Sequence, residues 1–340
     1  MQARWAYGAL LVVLSVAVVV LAVVSLSQGR APLQIFDLLF ALLGEVEGAN
    51  EAQLDLGVLI LTELRIPRML LGIMVGASLG MAGAAMQGLL RNPLAEPGIV
   101  GVSGCAALGA VLVFYSGLSA QFMLALPLGG ILGAWVAVLL LYALAGRGAS
   151  ILTLILAGVA INAFAGAMTA LVLNLSSSPF AFLEIIFWQM GSVADRSMEN
   201  IWLCLPLMMI GWFMLWRAAP ALDALSLGED TASSLGFNLP GVRRLVIGGT
   251  ALCVGSGVAV SGVIGFVGLV VPHLLRPWVG HRPGRLLPAS ALGGAALVLA
   301  ADIVLRVIPT DTELKLGVVT ALVGAPFFLY LVRKLRQETL

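Results

Sequence analysis

The chain of 340 residues is 61% hydrophobic and only 10% charged, with a mean hydropathy of +1.08, which excludes a soluble enzyme or a pair of soluble domains. Eighteen basic and 17 acidic residues leave a net charge of +1, so the balance gives no support to a nucleic-acid partner. The three cysteines, Cys105, Cys204 and Cys253, lie in apolar stretches without CxxC spacing, which reads as small packing residues and neither a disulfide framework nor a zinc site.

A hydrocarbon layer about 30 Å thick takes roughly 20 helical residues per crossing. Apolar segments of suitable length occur at 6–26, 69–90, 98–115, 122–145, 151–173, 201–216, 245–264, 265–280, 286–305 and 316–332. The chain is therefore expected to be an all-α polytopic membrane protein of about ten transmembrane helices, forming one transmembrane domain over residues 1–340. The first segment is longer than the roughly 7–15 residues of a signal-peptide core and is followed by no small-residue cleavage pattern, so it reads as a retained helix. Pro272, His273, Arg276 and Pro277 interrupt the segment 265–280, and backbone broken at membrane depth must be shielded by protein or line a cavity. The stretch 179–190 is apolar but short and carries Glu184, which suits an interfacial or re-entrant helix.

Basic residues set the orientation. With the N-terminus inside, the inner segments hold Arg4, Arg91, Arg147, Arg217, Arg243, Arg244, Arg276, Arg282, Arg285, Arg333, Lys334 and Arg336, twelve in all. The outer ones hold six: Arg30, Arg65, Arg68, Arg196, Arg306 and Lys315. Both termini are thus expected in the cytoplasm. Twelve acids fall outside, among them Asp37, Glu45, Glu47, Glu51, Asp55 and Glu63, and a mixed-charge face of that kind can receive a soluble protein. Glycines at four-residue spacing, Gly72, Gly76 and Gly80, predict close helix packing within one chain in preference to a dimerisation face.

Several chemistries find no support. Only two lysines occur, and neither Lys315 nor Lys334 completes a GxxxxGK[ST] phosphate loop, so any ATPase is a different polypeptide. An ion-coupled secondary transporter would carry carboxylates or histidines along its path, whereas Glu184, Asp302 and Glu313 fall at predicted helix ends or loops. An intramembrane serine hydrolase could be imagined from Gly101, Val102, Ser103 and Gly104 with His273 as base, but this is a four-residue string in a glycine-rich segment, 170 positions from that histidine.

The inner connector 217–244 is too polar for membrane and is expected to form two short helices. Gly228 can close the first by positive φ, Glu229 and Asp230 suit the N-terminus of the second, and Gly236 can close it. Leu225, Leu227 and Leu235 would supply apolar contacts to a cytoplasmic partner.

Arg65, Ile66, Pro67 and Arg68, a glycine-rich helix with Gln87, then Asn92, Pro93, Leu94, Ala95, Glu96, Pro97 and Gly98 closely resemble one family's signature. Further matches are Leu156 to Gly158, Trp188 with Gly191 and Ser192, Leu225 to Gly228 with Leu235 and Gly236, Gly265 to Leu269 with Pro272, His273 and Arg276, Asp302 with Arg306, and Gly317 with Gly324, Pro326 and Phe327. Over residues 60–332 the chain resembles the permease subunit of iron-chelate and cobalamin ABC importers, the FecCD family. It departs from the family's outer loop before the last helix, where Glu313 is followed by Leu314 and Lys315.

The resemblance implies a type II ABC importer permease fold in the bacterial inner membrane. It also implies a homodimer around one pathway, two cytoplasmic ATPase subunits that use ATP and Mg, and a periplasmic binding protein. No catalytic residue, metal or cofactor of its own is expected in this chain. Arg65, Arg68 and Arg306 match the rim that docks the binding protein, as forked guanidinium groups suit. Asn92 and Leu94 match the cytoplasmic gate, although Asn92 could instead cap the next helix. Leu225, Leu227, Gly228, Glu229, Leu235 and Gly236 match the ATPase-coupling segment, and His273 takes a structural role. On family frequency the cargo is expected to be a ferric chelate, siderophore or haem, with cobalamin as the alternative.

Overall fold

A computed structural model describes residues 2–29, 51–122, 124–146, 150–176, 179–308 and 314–338, and among them every regular element is helical. In chain order these are α1 (Gln2–Ser27), α2 (Glu51–Ile60), a π-helical turn (Leu61–Arg65), α3 (Ile66–Leu90), a 3-10 turn (Pro97–Val100), α4 (Val102–Tyr115), α5 (Leu118–Gln121), α6 (Ala125–Ala145) and α7 (Ile151–Asn174). They continue with α8 (Pro179–Gln189), α9 (Met198–Leu225), α10 (Glu229–Ser234), α11 (Leu239–Ser261), α12 (Val267–Leu275), a 3-10 turn (Pro277–Val279), α13 (Pro283–Val307) and α14 (Leu316–Glu338). Arg30, Asp37, Glu45, Glu47 and Arg147, named above for the two faces, and Glu313 of the outer loop lie outside the described residues.

Among the described residues, eight helical stretches are long and apolar enough to cross a bilayer: α1, the continuous run Leu56–Leu90, α6, α7, α9, α11, α13 and α14. The other two of the ten expected segments, 98–115 and 265–280, form shorter helices. At about 1.5 Å per residue, α4 is roughly 21 Å long and α12 roughly 14 Å, both less than a hydrocarbon layer. Pro97 and Gly101 delay the start of α4, and the Gly262–Phe266 corner and Pro277 confine α12. The helix α8 also forms, at 11 residues too short to span.

The all-apolar surface has a physical address. Val12, Val13, Val16, Val19, Val20 and Val23 project from α1, and Leu132, Trp135 and Leu139 from α6, as lipid-facing residues do. Inside, α3 and α11 are the most enclosed of the long helices. α3 and α13 make the most extensive helix pair, and they approach through small residues. A Cβ on Gly76 would strike the Gly294 carbonyl, and one on Gly80 the Ser290 carbonyl, so the glycine spacing serves packing within this chain. Cys105, Cys204 and Cys253 are all buried and unpaired, as packing residues.

The connector 217–244 differs from its expectation of two short helices. Its first part is the end of the 28-residue α9, which continues through Pro220 to Leu225, and only α10 is a separate short helix. Pro206 and Pro220 each delete one backbone donor, yet the apolar side chains around them, Cys204, Met208, Ala218, Ala221 and Leu222, are buried and carry the helix on. Gly228 at φ +111 and Gly236 at φ +87 close the two segments as expected.

α3 joins the two ends of the helical body. Arg68 and Asn92, at opposite termini of this helix, stand about 36 Å apart along its axis. α1 runs parallel to that axis, since Tyr7 lies under the Arg285 guanidinium near the Asn92 end while Ser25 meets Arg306 at the other. The basic surplus of the Asn92 end assigns it to the cytoplasm.

Candidate functional site

The outer end is organised by one buried carboxylate. Asp302, on the last turns of α13, is 2% exposed and accepts from Arg68 Nε and Nη2 at 3.0 and 2.8 Å and from Arg306 Nη2 at 2.6 Å. Arg306 also donates to the Ser25 carbonyl at 2.7 Å and to the Ser25 hydroxyl, and Arg65 donates to the carbonyls of Leu26 and Ser27 at 2.6 and 3.1 Å. The three arginines expected at a docking rim are therefore brought together, but each is used internally. Arg65 and Arg306 satisfy the carbonyls that the last turn of α1 leaves open, and with the Arg68–Asp302 pair they bind α1, α3 and α13 to one another. Arg65 is buried, while Arg68 and Arg306 keep 17% and 11% of their side chains exposed. The sequence reading missed Asp302 as the centre of this cluster, placing it at a helix end; its signal was the i,i+4 pair with Arg306.

At the cytoplasmic end, Arg91 closes α3 in the left-handed region at φ +49 and the chain turns through Asn92–Glu96. Asn92 is exposed. Its Oδ1 accepts from the Leu94 N–H at 2.9 Å, so it holds its own turn and does not cap the following helix. Leu94 is half-buried. Next to the turn, Glu229 at the start of α10 meets Arg243 at 3.3 Å and Arg91 at 3.8 Å. These residues, with Ser150, Leu152, Leu227 and Gly228, border a cytoplasmic hollow of about 540 Å³. Leu227 and Leu235 are 68% and 61% exposed flanking α10, in a place where ordinary loops are polar. Leu225 is different: at 3% exposed it belongs to the core and offers no surface. Glu229 and Gly228 line the hollow, and Gly236 closes α10.

Between the ends the chain folds back on itself. α11 stops at Gly262, the backbone crosses Val263–Gly265, and α12 returns, an arrangement that needs protein on every side at membrane depth. Gln87, buried on α3, provides part of that support: its Nε2 donates to the Leu269 carbonyl at 3.3 Å, and its Oε1 accepts from Arg276 Nη2 at 2.5 Å. Glu96 provides another, accepting the Phe266 N–H at 2.8 Å. Gly83 and Gly268 leave no room for a Cβ between α3 and α12. The corner borders an open apolar hollow of about 680 Å³ on the surface of the chain, lined by Met190, Val263, Phe266, Val318, Leu322 and Pro326 among others. Of the groups that would suggest enzymatic chemistry, Ser103 sits on α4, which packs on α6, α7 and α11, while His273 sits on α12 edge-on to Phe327 and packs with α3 and α13. Among the described residues no group of three or more His, Cys, Asp or Glu is gathered as a metal would require.

Comparison with known proteins agrees with this two-ended helical body. The chain is 39% identical to the cobalamin import system permease protein BtuC of Halobacterium salinarum, over 84% of this chain and 78% of that one. It is 37% identical to the hemin transport system permease protein HmuU of Yersinia pestis, over 81% and 83%, and 41% identical to an uncharacterised ABC transporter permease protein, YvrB of Bacillus subtilis, over 82% and 80%. A solved metal-chelate type ABC transporter in an inward-facing conformation superposes with a TM-score of 0.82 at 33% identity, over 96% of this chain and 99% of that one. The model of the FecCD transport family matches residues 17–334, and the chain belongs to that family, as a multi-pass permease of the bacterial inner membrane.

Proposed function

We propose that this chain is the membrane subunit of an ATP-driven importer that accepts a ferric chelate, a siderophore complex or haem, from a periplasmic binding protein and passes it to the cytoplasm. Two copies enclose one pathway and form a single transmembrane domain each. Two separate ATPase subunits, using ATP and Mg, seat on the cytoplasmic hollow beside α10, and this chain contributes no catalysis. The binding protein docks at the opposite end, around Arg68 and Arg306, with Arg65 holding the rim from behind. Asn92 and Leu94 narrow the inner mouth when the pathway is shut.

The observation that carries this reading is the separation of exposed apolar residues at one end, Leu227 and Leu235, from the arginine cluster at the other, across a body with an interrupted helix between them. Such a body has places for partners on both faces and no engine of its own. The haem relative supports the ferric reading, and the cobalamin relatives, at 39% and 38% identity, support cobalamin as the second.

The test is uptake by the reconstituted complex. Proteoliposomes containing this chain with its partner ATPase and binding protein should accumulate haemin or a ferric siderophore only with ATP inside the compartment that the ATPase faces. Accumulation of cyanocobalamin alone would move the assignment to the second reading. Uptake driven by an ion gradient without ATPase would overturn both.

A further inference from the structure

We propose that Glu96 is a positioning residue that links the gate turn to the start of α12, so that the Gly265–Phe266 edge of the open apolar hollow beside α14 and the Asn92–Leu94 turn move as one unit. The proposal rests on reading Asn92 and Leu94 as the gate. Its physical basis is a short covalent path joined to a half-buried hydrogen bond. Glu96 stands two residues beyond Leu94, and its Oε1 accepts the Phe266 N–H at 2.8 Å, across 170 positions of sequence. Phe266 is the residue that opens α12, and it is held at φ +66, a conformation that a bulky residue keeps only when its surroundings impose it.

Three more constraints surround the link. Gln87, four residues before Arg91, reaches the first turn of α12 through Leu269, and Arg276 at its other end bonds back to Gln87. Ala95 is fully buried beside Glu96, so the turn cannot swing without displacing packed side chains. On the side of the hollow, the Phe266 ring lies where a Cβ of Gly324 would be, which puts α14 directly against it. Gly265 and Phe266 line the open hollow of about 680 Å³ together with Ala321 and Leu322 of α14. An occupant that pushes on Phe266 therefore acts on a residue whose backbone is bonded to the gate turn.

The experiment uses the full chain in lipid nanodiscs, with a fluorophore on Asn92→Cys; the native cysteines are buried and do not compete for the label. Ala321→Trp fills the hollow from α14. It should change the rate of iodide quenching at the label by roughly threefold when position 96 is Glu, and equally in Glu96→Gln, which keeps the acceptor oxygen. In Glu96→Ala the response should vanish. An unchanged rate with native Glu96, or an equal response in Glu96→Ala, overturns the link. Because Glu96→Ala can fail to fold, the native chain supplies a second measurement: the amides of Phe266, Leu94 and Ala95 should exchange with solvent at one common rate, and rates differing by more than about tenfold overturn the proposal. Uptake of haemin, a ferric siderophore or cyanocobalamin by the complex with native Asn92 and Ala321 reads the permease assignment separately: no uptake of any of them, with an intact quenching response in the labelled chain, defeats the permease reading and leaves the link standing, and uptake with no quenching response defeats the link.

Discussion

Arg68 and Asp302 stand 234 positions apart and are joined by three charge-assisted hydrogen bonds at 2.8, 3.0 and 3.2 Å, with Asp302 almost wholly enclosed. A pair of this kind is costly to halve, because the remaining charge stays buried. Asp302→Ala should cost about 3–5 kcal/mol, as loss of one partner from a buried pair does, and show as a large fall in the melting temperature of the purified protein in detergent. Arg68→Lys keeps the charge and loses the fork, so it should lower the melting temperature by less while binding-protein affinity stays salt-sensitive. Unchanged melting in both variants would count against a clip made of Arg68, Asp302 and Arg306.

The close pairing of α3 and α13 makes a size prediction. Gly80→Leu would place a side chain on the Ser290 carbonyl and should abolish recovery of folded protein. Gly166→Leu, on the open side of α7 with nothing within 4 Å of a Cβ, should leave yield unchanged or improve helix stability by about 1 kcal/mol. Circular dichroism and size-exclusion profiles of the two variants distinguish them.

The leucines of the cytoplasmic connector should behave differently from one another. Leu227→Asp and Leu235→Asp change exposed side chains, so the protein should fold normally while ATPase association and ATP-driven uptake are lost. Leu225→Ala removes a core side chain and should instead destabilise the protein by about 2–5 kcal/mol. Normal uptake by both aspartate variants would remove α10 from the coupling role.

Glu229 offers a milder test. Its pairs with Arg91 and Arg243 are partly exposed, and such pairs contribute about 0–1 kcal/mol, so Glu229→Gln should leave melting almost unchanged. If the ATPase seats on this hollow, the same substitution should weaken its association, and the native complex should loosen as salt rises.

Much of this architecture was legible in the sequence because bilayer physics is local. An apolar run of about 20 residues is a crossing whatever surrounds it, which is why segments such as 6–26 and 286–305 correspond to α1 and α13. Hydropathy does not register where the backbone turns, so α4 and α12 are shorter than the apolar segments 98–115 and 265–280 that contain them. The left-handed conformation of Phe266 and the irregular stretch after Gly262 are products of tertiary packing. The same limit explains Leu225: a leucine two residues before an exposed one looks identical in a string, yet α9 carries it into the core.

What the sequence determined alone is the class: a helical membrane body, its family signature and the position of its charged residues, all of which follow from composition and residue order. Tertiary structure decided which charges are partnered. Asp302 gathers Arg68 and Arg306, Glu96 holds Phe266, and Gln87 joins Leu269 to Arg276, each across more than a hundred positions except for the Arg306 neighbour. In a chain with so few polar side chains, a buried charge or amide is stabilised by a partner, and only the three-dimensional approach of distant helices determines which partner that is.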